Sequence, residues 1–154
     1  MIDNMRYLCF DLGNREFAIP LLSAKEVIGI PEVTAVPQSP SHFLGIMNLR
    51  GNVISVLDLR LKLSIKPVTS EENTIIILDL GDYNLGVVVD RVNSVQTVEK
   101  DKISEPPVVE STSKSDYITG VFRKDEKLIL MLDISRALSV EDRSVMKQKN
   151  VKAA

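Results

Sequence analysis

The sequence is poorest in the residues that do chemistry. Among 154 residues there is one cysteine, Cys9, one histidine, His42, and no tryptophan. A single cysteine excludes an internal disulfide framework and fits a reducing compartment. One histidine and one distant cysteine fall short of the three or four ligands of a zinc site, so no metal and no other cofactor is expected. No phosphate-cradling Gly-x-x-x-x-Gly-Lys loop and no Gly-x-Gly-x-x-Gly fingerprint occurs. His42, in Ser39-Pro40-Ser41-His42-Phe43, has no marked nucleophile beside it. Cys9, in Leu8-Cys9-Phe10, reads as an inert packing thiol. The expectation is a protein that is not an enzyme.

Other shortages narrow the class further. No apolar run approaches the ~20 residues of a spanning helix. Met1 to Arg6 lacks the charged start and apolar stretch of a secretory leader. A cytoplasmic chain with no direct membrane insertion is expected. Lys+Arg number 19 against Asp+Glu 21, a net charge of −2, with only three Tyr and four Phe. That balance argues against a basic, base-stacking groove, so no nucleic-acid partner is expected.

What is plentiful is aliphatic. Val, Ile and Leu number 18, 14 and 17, against 6 Ala. Such β-branched enrichment favours strands. Leu8, Phe10 and Leu12 alternate on one strand face, Gly13-Asn14 turns, and Glu16-Phe17-Ala18-Ile19 returns until Pro20. Residues 21 to 30 read as a short turn and a strand ended by Pro31.

The chain then repeats itself. Phe10-Asp11-Leu12-Gly13 matches Leu78-Asp79-Leu80-Gly81 at an offset of 68, and Phe17, Ile19 and Val27 fall on Leu85, Val87 and Val95. Leu44-Gly45-Ile46 through Asp58-Leu59 matches Thr119-Gly120-Val121 through Asp133-Ile134 at an offset of 75. Asp58 and Asp133 each precede a short amphipathic segment and read as helix N-caps. Two β-rich units follow, about 5–66 and about 72–140, each too small for an ample core alone. Packing on a shared interior, as small barrels of five antiparallel strands, is the expected solution. Residues Ser104 to Asp116 read as a long loop, and 141–154 as a polar tail, either a frayed helix or disordered.

The copies part company at their hairpin tips. The first reads Met47-Asn48-Leu49-Arg50-Gly51-Asn52; the second, Phe122-Arg123-Lys124-Asp125-Glu126-Lys127, is a charge cluster. Arg50, beside a turn-shaping Gly51, offers a fixed fork of donors. Val27, Ile28 and Ile30 leave more apolar surface than one buried face needs, which marks an interface or a second core contact.

In this setting Asn48-Leu49-Arg50-Gly51, followed by Val53-Ile54-Ser55-Val56-Leu57-Asp58-Leu59-Arg60, resembles the hallmark of the CheW family of chemotaxis coupling proteins. Phe17-Ala18-Ile19, Val27-Ile28 and Gly86-Val87-Val88-Val89-Asp90-Arg91-Val92 fit the same pattern. The likeness runs from about Tyr7 to Leu138, so that 1–154 is expected to form one CheW-like domain. It implies an all-β fold of two five-stranded SH3-like barrels on a shared hydrophobic core, with short helices. It also implies a non-catalytic scaffold that is monomeric when isolated. The implied partners are the cytoplasmic tips of methyl-accepting chemotaxis receptors and the regulatory domain of the histidine kinase CheA, met in receptor arrays under the membrane. By the same resemblance the receptor contacts fall on Ala24, Glu26, Gly45 and Arg50, with second-barrel support near Val87, Val88 and Val95. The kinase contact falls on Val27, Ile28 and Ile30. The alternative is a CheW-like module detached from a larger coupling protein or kinase.

Overall fold

The computed structural model describes residues 4–66, 73–81, 83–105 and 117–149. From residue 106 on, the expected Ser104–Asp116 loop lies outside the described residues. The first repeat contributes β1 (Asn4–Leu12), β2 (Arg15–Pro20), β3 (Ala24–Gly29), β4 (Phe43–Leu49), β5 (Asn52–Asp58) and α1 (Leu59–Lys62). The second contributes β6 (Thr74–Asp79), β7 (Asn84–Val89), β8 (Arg91–Glu99), β9 (Ile118–Lys124), β10 (Lys127–Leu132) and α2 (Ile134–Ala137). A third helix, α3 (Val140–Lys149), ends the described chain.

Two five-stranded sheets form, in the orders β8-β1-β2-β10-β9 and β3-β6-β7-β5-β4. Advancing every strand of one sheet by one repeat yields the other, so the sequence repeat is a structural pseudo-two-fold. The repeats do not, however, fold as separate barrels over 5–66 and 72–140. Each sheet combines a hairpin from one repeat with three strands from the other. The expectation of purely antiparallel strands also needs correction. β10 runs parallel to β2 and β5 runs parallel to β7, because these are the junctions where the exchanged hairpins enter. The chain changes sheet at two points. After β2, Pro20 and a 3-10 turn over Leu21–Ser23 redirect it into β3, which pairs with β6. After β7, Asp90 alone separates β7 from β8, which pairs with β1. A sequence offset fixes which strands are equivalent but not which pair, so the exchange is invisible to it.

The exchange buries central strands on both faces. Along β1, Leu8, Phe10 and Leu12 enter a core shared by the two sheets, while Tyr7 and Cys9 fill one barrel with Phe122, Ile129 and Met131. Along β6, Ile76 and Leu78 enter the shared core, while Ile75 and Ile77 fill the other barrel with Met47, Ile54 and Val56. Alternate side chains of a strand point to opposite faces, so a run such as Ile75-Ile76-Ile77-Leu78 is apolar throughout for a reason.

One charged cluster fastens the junction. Arg60, in α1, is buried. Its Nε and Nη2 donate to Asp58 Oδ1 and Oδ2 at 3.0 Å each, and its Nη1 donates to Asp90 Oδ1 at 2.6 Å. Asp90 Oδ2 accepts the Gly13 N–H at 2.5 Å, and the Asp90 N–H donates to the Asp11 carbonyl at 3.0 Å. β5, α1 and the β7–β8 crossover therefore meet on one guanidinium, and Asp90 joins the β1–β2 turn to them. Asp58 also caps α1, accepting the Arg60 N–H at 3.0 Å, and Asp133 caps α2 in the equivalent way.

The expected polar tail over 141–154 is, through residue 149, the docked helix α3. Ser139 and Asp142 form a reciprocal cap: the Asp142 N–H donates to Ser139 Oγ and the Ser139 N–H to Asp142 Oδ2, both at 3.0 Å. Buried Asp142 also meets His42 Nε2 and Lys62 Nζ at 2.6 Å each, and Met146 is buried in the shared core. Burial raises the Asp142 carboxyl, but the hydrogen bonds from Lys62, the Ser139 N–H and His42 outweigh it and hold the group below the usual carboxylate range. Of the two readings of the tail the helix is the one that forms, and its docking left no periodic signal because it rests on one buried methionine and one buried aspartate.

Arg60→Ala leaves Asp58 and Asp90 buried without their cation. It should lower the unfolding free energy by about 3–5 kcal/mol, read from urea midpoints. Because the folded state depresses the Asp142 pKa, its contribution is present above the unfolded value of about 3.9 and is lost as pH falls through the folded one. Hydrogen exchange of α3 should therefore accelerate on acidification before the sheets lose protection, and Asp142→Asn should bring that acceleration to neutral pH.

Candidate protein-interaction site

The β4–β5 turn is built to present one side chain. Arg50 and Gly51 have φ of +53° and +85°, the two left-handed positions of a two-residue hairpin turn. Asn48 Oδ1 accepts the Gly51 N–H at 2.9 Å and holds the turn closed. Leu49 packs against the core of its barrel. The tetrad Asn48-Leu49-Arg50-Gly51 is thus a small folding unit whose exposed product is the Arg50 guanidinium.

That guanidinium crosses the sheet. β3 and β4 are opposite edges, yet Arg50 Nη1 and Nη2 donate to Glu26 Oε2 and Oε1, on β3, at 2.5 and 2.9 Å. The pair ties the two edges across the barrel mouth. The hydrogen bonds from Arg50 hold the Glu26 carboxyl below its ordinary value and Arg50 above its own. The other sheet carries a matching tie that motif reading missed. Lys124 Nζ, beside the β9–β10 turn, donates to Ser94 Oγ on edge strand β8 at 3.2 Å and lies 3.5 Å from Glu16. Ser94 is Glu26 advanced by 68, so the repeat offset could have found it.

The expected contact residues scatter across this frame. Glu26 and Arg50 are brought together. Ala24 lies on the same strand, half-buried against the shared core, and a bulge separates it from Glu26. Gly45 is buried at a bulge of β4, with φ of +145°; a Cβ there would lie 2.0 Å from the Thr34 carbonyl oxygen. Its role is to let the chain before β4 lie against the strand, where Thr34 and Ile46 pair. Val87 and Val88 do not support a surface contact: both are core side chains, Val87 in the shared core and Val88 inside a barrel. A strand buried on both faces has no outward side. Val95, on edge strand β8, is 49% exposed. On β3, Val27 is 43% exposed and Ile30, just beyond the strand, 45%, whereas Ile28 packs against the barrel core.

The groups considered for chemistry are otherwise engaged. Burial pushes the Cys9 thiol up to about 11, which suits packing and not reaction. His42 is held by Asp142. Among the described residues no cluster of three or more His, Cys, Asp and Glu could hold a metal ion, and no helix is long and apolar enough to cross a membrane.

The architecture defines a class, the module of two interleaved five-stranded β-barrels, and the comparisons with known proteins then define the family. The model of the CheW-like domain matches residues 6–142. The chemotaxis protein CheW of Klebsiella aerogenes is 33% identical over 141 residues, covering 91% of this chain and 85% of the relative. That of Treponema pallidum is 27% identical over 145 residues, with the same two coverages. The solved scaffolding protein TtCheW of Thermoanaerobacter tengcongensis matches with a TM-score of 0.81 and 27% identity, over 90% of this chain and 94% of that one. The chain belongs to the CheW-like domain family.

Two candidate positions separate fold from recognition. Gly45→Ala forces a Cβ into backbone and should cost about 1–3 kcal/mol of stability, seen as a lower melting temperature. Arg50→Ala, at an exposed turn, should leave the melting temperature unchanged by differential scanning calorimetry.

Proposed function

We propose that the chain is a non-catalytic adaptor of bacterial chemotaxis. It bridges the cytoplasmic tips of methyl-accepting receptors to the regulatory domain of the kinase CheA, so that kinase assembled in cytoplasmic arrays comes under receptor control. The observation that carries this reading is the pair of pseudo-equivalent edges. Val27 on β3 and Val95 on β8 are one position repeated at an offset of 68, both half-exposed, each next to a residue tied to the opposite sheet edge. The ties differ in chemistry, Glu26–Arg50 in one and Ser94–Lys124 in the other. Two similar but unlike edges offer two separate apolar positions, Val27 and Val95, to two different protein partners.

In this reading the receptor engages Ala24, Glu26, Arg50 and Val95, while Gly45 shapes the backbone beneath them. The kinase engages Val27 and Ile30, with Ile28 supporting them from inside the barrel. Alternation along β3 turns Glu26 and Val27 to opposite faces, so one strand can serve both partners. Apolar contacts would supply affinity, and the Glu26–Arg50 pair would supply orientation.

Val27→Asp and Ile30→Asp should each weaken binding of the CheA regulatory domain by at least about tenfold in titration calorimetry. Glu26→Ala and Arg50→Ala should keep that affinity but lose receptor-dependent kinase activation in reconstituted arrays. Wild-type kinase affinity in both Asp variants, or full activation with both Ala variants, would sink the assignment.

A further inference from the structure

The pseudo-two-fold is broken at one place. Arg60 and Asp90, one from each repeat, fill the space beside the parallel β5–β7 junction, and the two strands stay paired from Ser55↔Leu85 to Asp58↔Val88. The equivalent β10–β2 junction pairs only Leu130↔Phe17 and Met131↔Ala18. There Pro20 stands where the other sheet has Val88, and proline has no N–H with which to continue a ladder. The residue equivalent to Arg60, at the offset of 75, is the short Ser135. The residue equivalent to Asp90, at the offset of 68, is Leu22, which is 93% exposed. Neither fills the gap, and a cavity of about 350 Å³ opens between the sheets.

Its walls are chemically specific. Ile19, Leu78, Leu132 and Ile134 make an apolar interior, while Asp79 and Asp133 supply two carboxylates. Asp133 is the counterpart of Asp58, the residue that grips Arg60. Asp133 accepts the Arg136 N–H at 3.3 Å as the cap of α2 and lies 3.5 Å from the exposed Arg136 guanidinium, and exposed Asp79 accepts the Gly81 N–H at 2.9 Å. Arg143 of α3 reaches the Ser135 hydroxyl at 3.2 Å but does not line the cavity. The cavity thus keeps one carboxylate of the Arg60 site, Asp133, has Asp79 as a second, and has no cation in its lining. A long stem with a cationic head is the occupant that this lining matches, since the stem buries against aliphatics while the head pairs with carboxylate.

We propose that this cavity receives a basic side chain, arginine or lysine, from the receptor tip. It is inserted between Asp133, the counterpart of Asp58, and Asp79, with exposed Leu22 covering the apolar surface of the partner beside it. The assignment to the receptor rests on the adaptor reading above, because Ser23 of the cavity lining adjoins Ala24.

The test supplies the cation in cis. Ser135→Arg in the full chain should fill the cavity and weaken binding of a chemoreceptor cytoplasmic hairpin fragment by at least about tenfold, with affinity for the CheA regulatory domain unchanged. Asp79→Asn, which adds no bulk, should weaken the same binding and flatten its salt dependence. Replacing one basic residue of the fragment by Met should remove the effect of Asp79→Asn in a double-mutant cycle. Undiminished receptor binding by folded Ser135→Arg, or by Asp79→Asn, overturns the cavity assignment and leaves the adaptor reading standing. Loss of kinase-domain binding in place of receptor binding overturns it as well. A wild-type chain that binds no receptor fragment overturns both together.

Discussion

The guanidinium of Arg60 holds the exchanged halves in register. It is buried, it satisfies two carboxylates, and those carboxylates belong to strands that arrive from different repeats: Asp58 ends β5 and Asp90 separates β7 from β8. Taking three charges out of water is unfavourable unless every one is paired with good geometry. Apolar packing tolerates small slips, but a cluster with directional bonds to two carboxylates and, through Asp90, to the Gly13 N–H does not. The cluster therefore specifies which hairpin sits beside which strands, and the hydrophobic surface then has one arrangement in which to bury itself.

Given that exchange, the composition becomes intelligible. Two units of about sixty residues could not each close an ample core. Interleaved, they bury β1 and β6 on both faces and create three clusters: one inside each barrel and one shared. This arrangement uses up the Val, Ile and Leu of the central strands and leaves the edge strands β3 and β8 with half-exposed valines. The outer edges β4 and β9 are each covered by a single bridge from the preceding connection, Thr34↔Ile46 and Ser104↔Val121, which discourages edge-to-edge aggregation. The edges left open are those with polar ties nearby.

Much of this was legible in the sequence, for a definite reason. Strand periodicity, turn residues and the offsets of 68 and 75 are local or self-referential signals, and they marked the repeated strands, both capping aspartates and the turn at Arg50 and Gly51. Pairing between strands is non-local, so the hairpin exchange and the parallel junctions could not be read. Burial is also collective. Val87 and Val88 look like any valines in a strand, and only the sheets on either side of β7 remove them from the surface. Asp142 and Met146 show the reverse error, since a helix with a charged composition docks through just a few side chains. The Glu26–Arg50 pair fell between these cases. Both residues were singled out, but their contact crosses a sheet whose edges no local pattern relates.

A duplicated scaffold with two good edges would, if its symmetry were complete, bind one kind of partner twice. In the adaptor reading proposed above, the departures from symmetry would carry the specificity. At the barrel mouths, a carboxylate–guanidinium pair in one copy faces a hydroxyl–ammonium pair in the other. At the junctions, a buried Arg60 in one copy faces a cavity behind Ser135 in the other. Structural demands explain why the first junction must be filled, because the crossover at Asp90 needs an anchor. At the second crossover a proline and a short 3-10 turn redirect the chain without charge, so nothing obliges the fold to fill that space. The second junction is thus left open beside the exposed Leu22, and in the adaptor reading proposed above that opening, and not the filled junction, would be the place for selectivity.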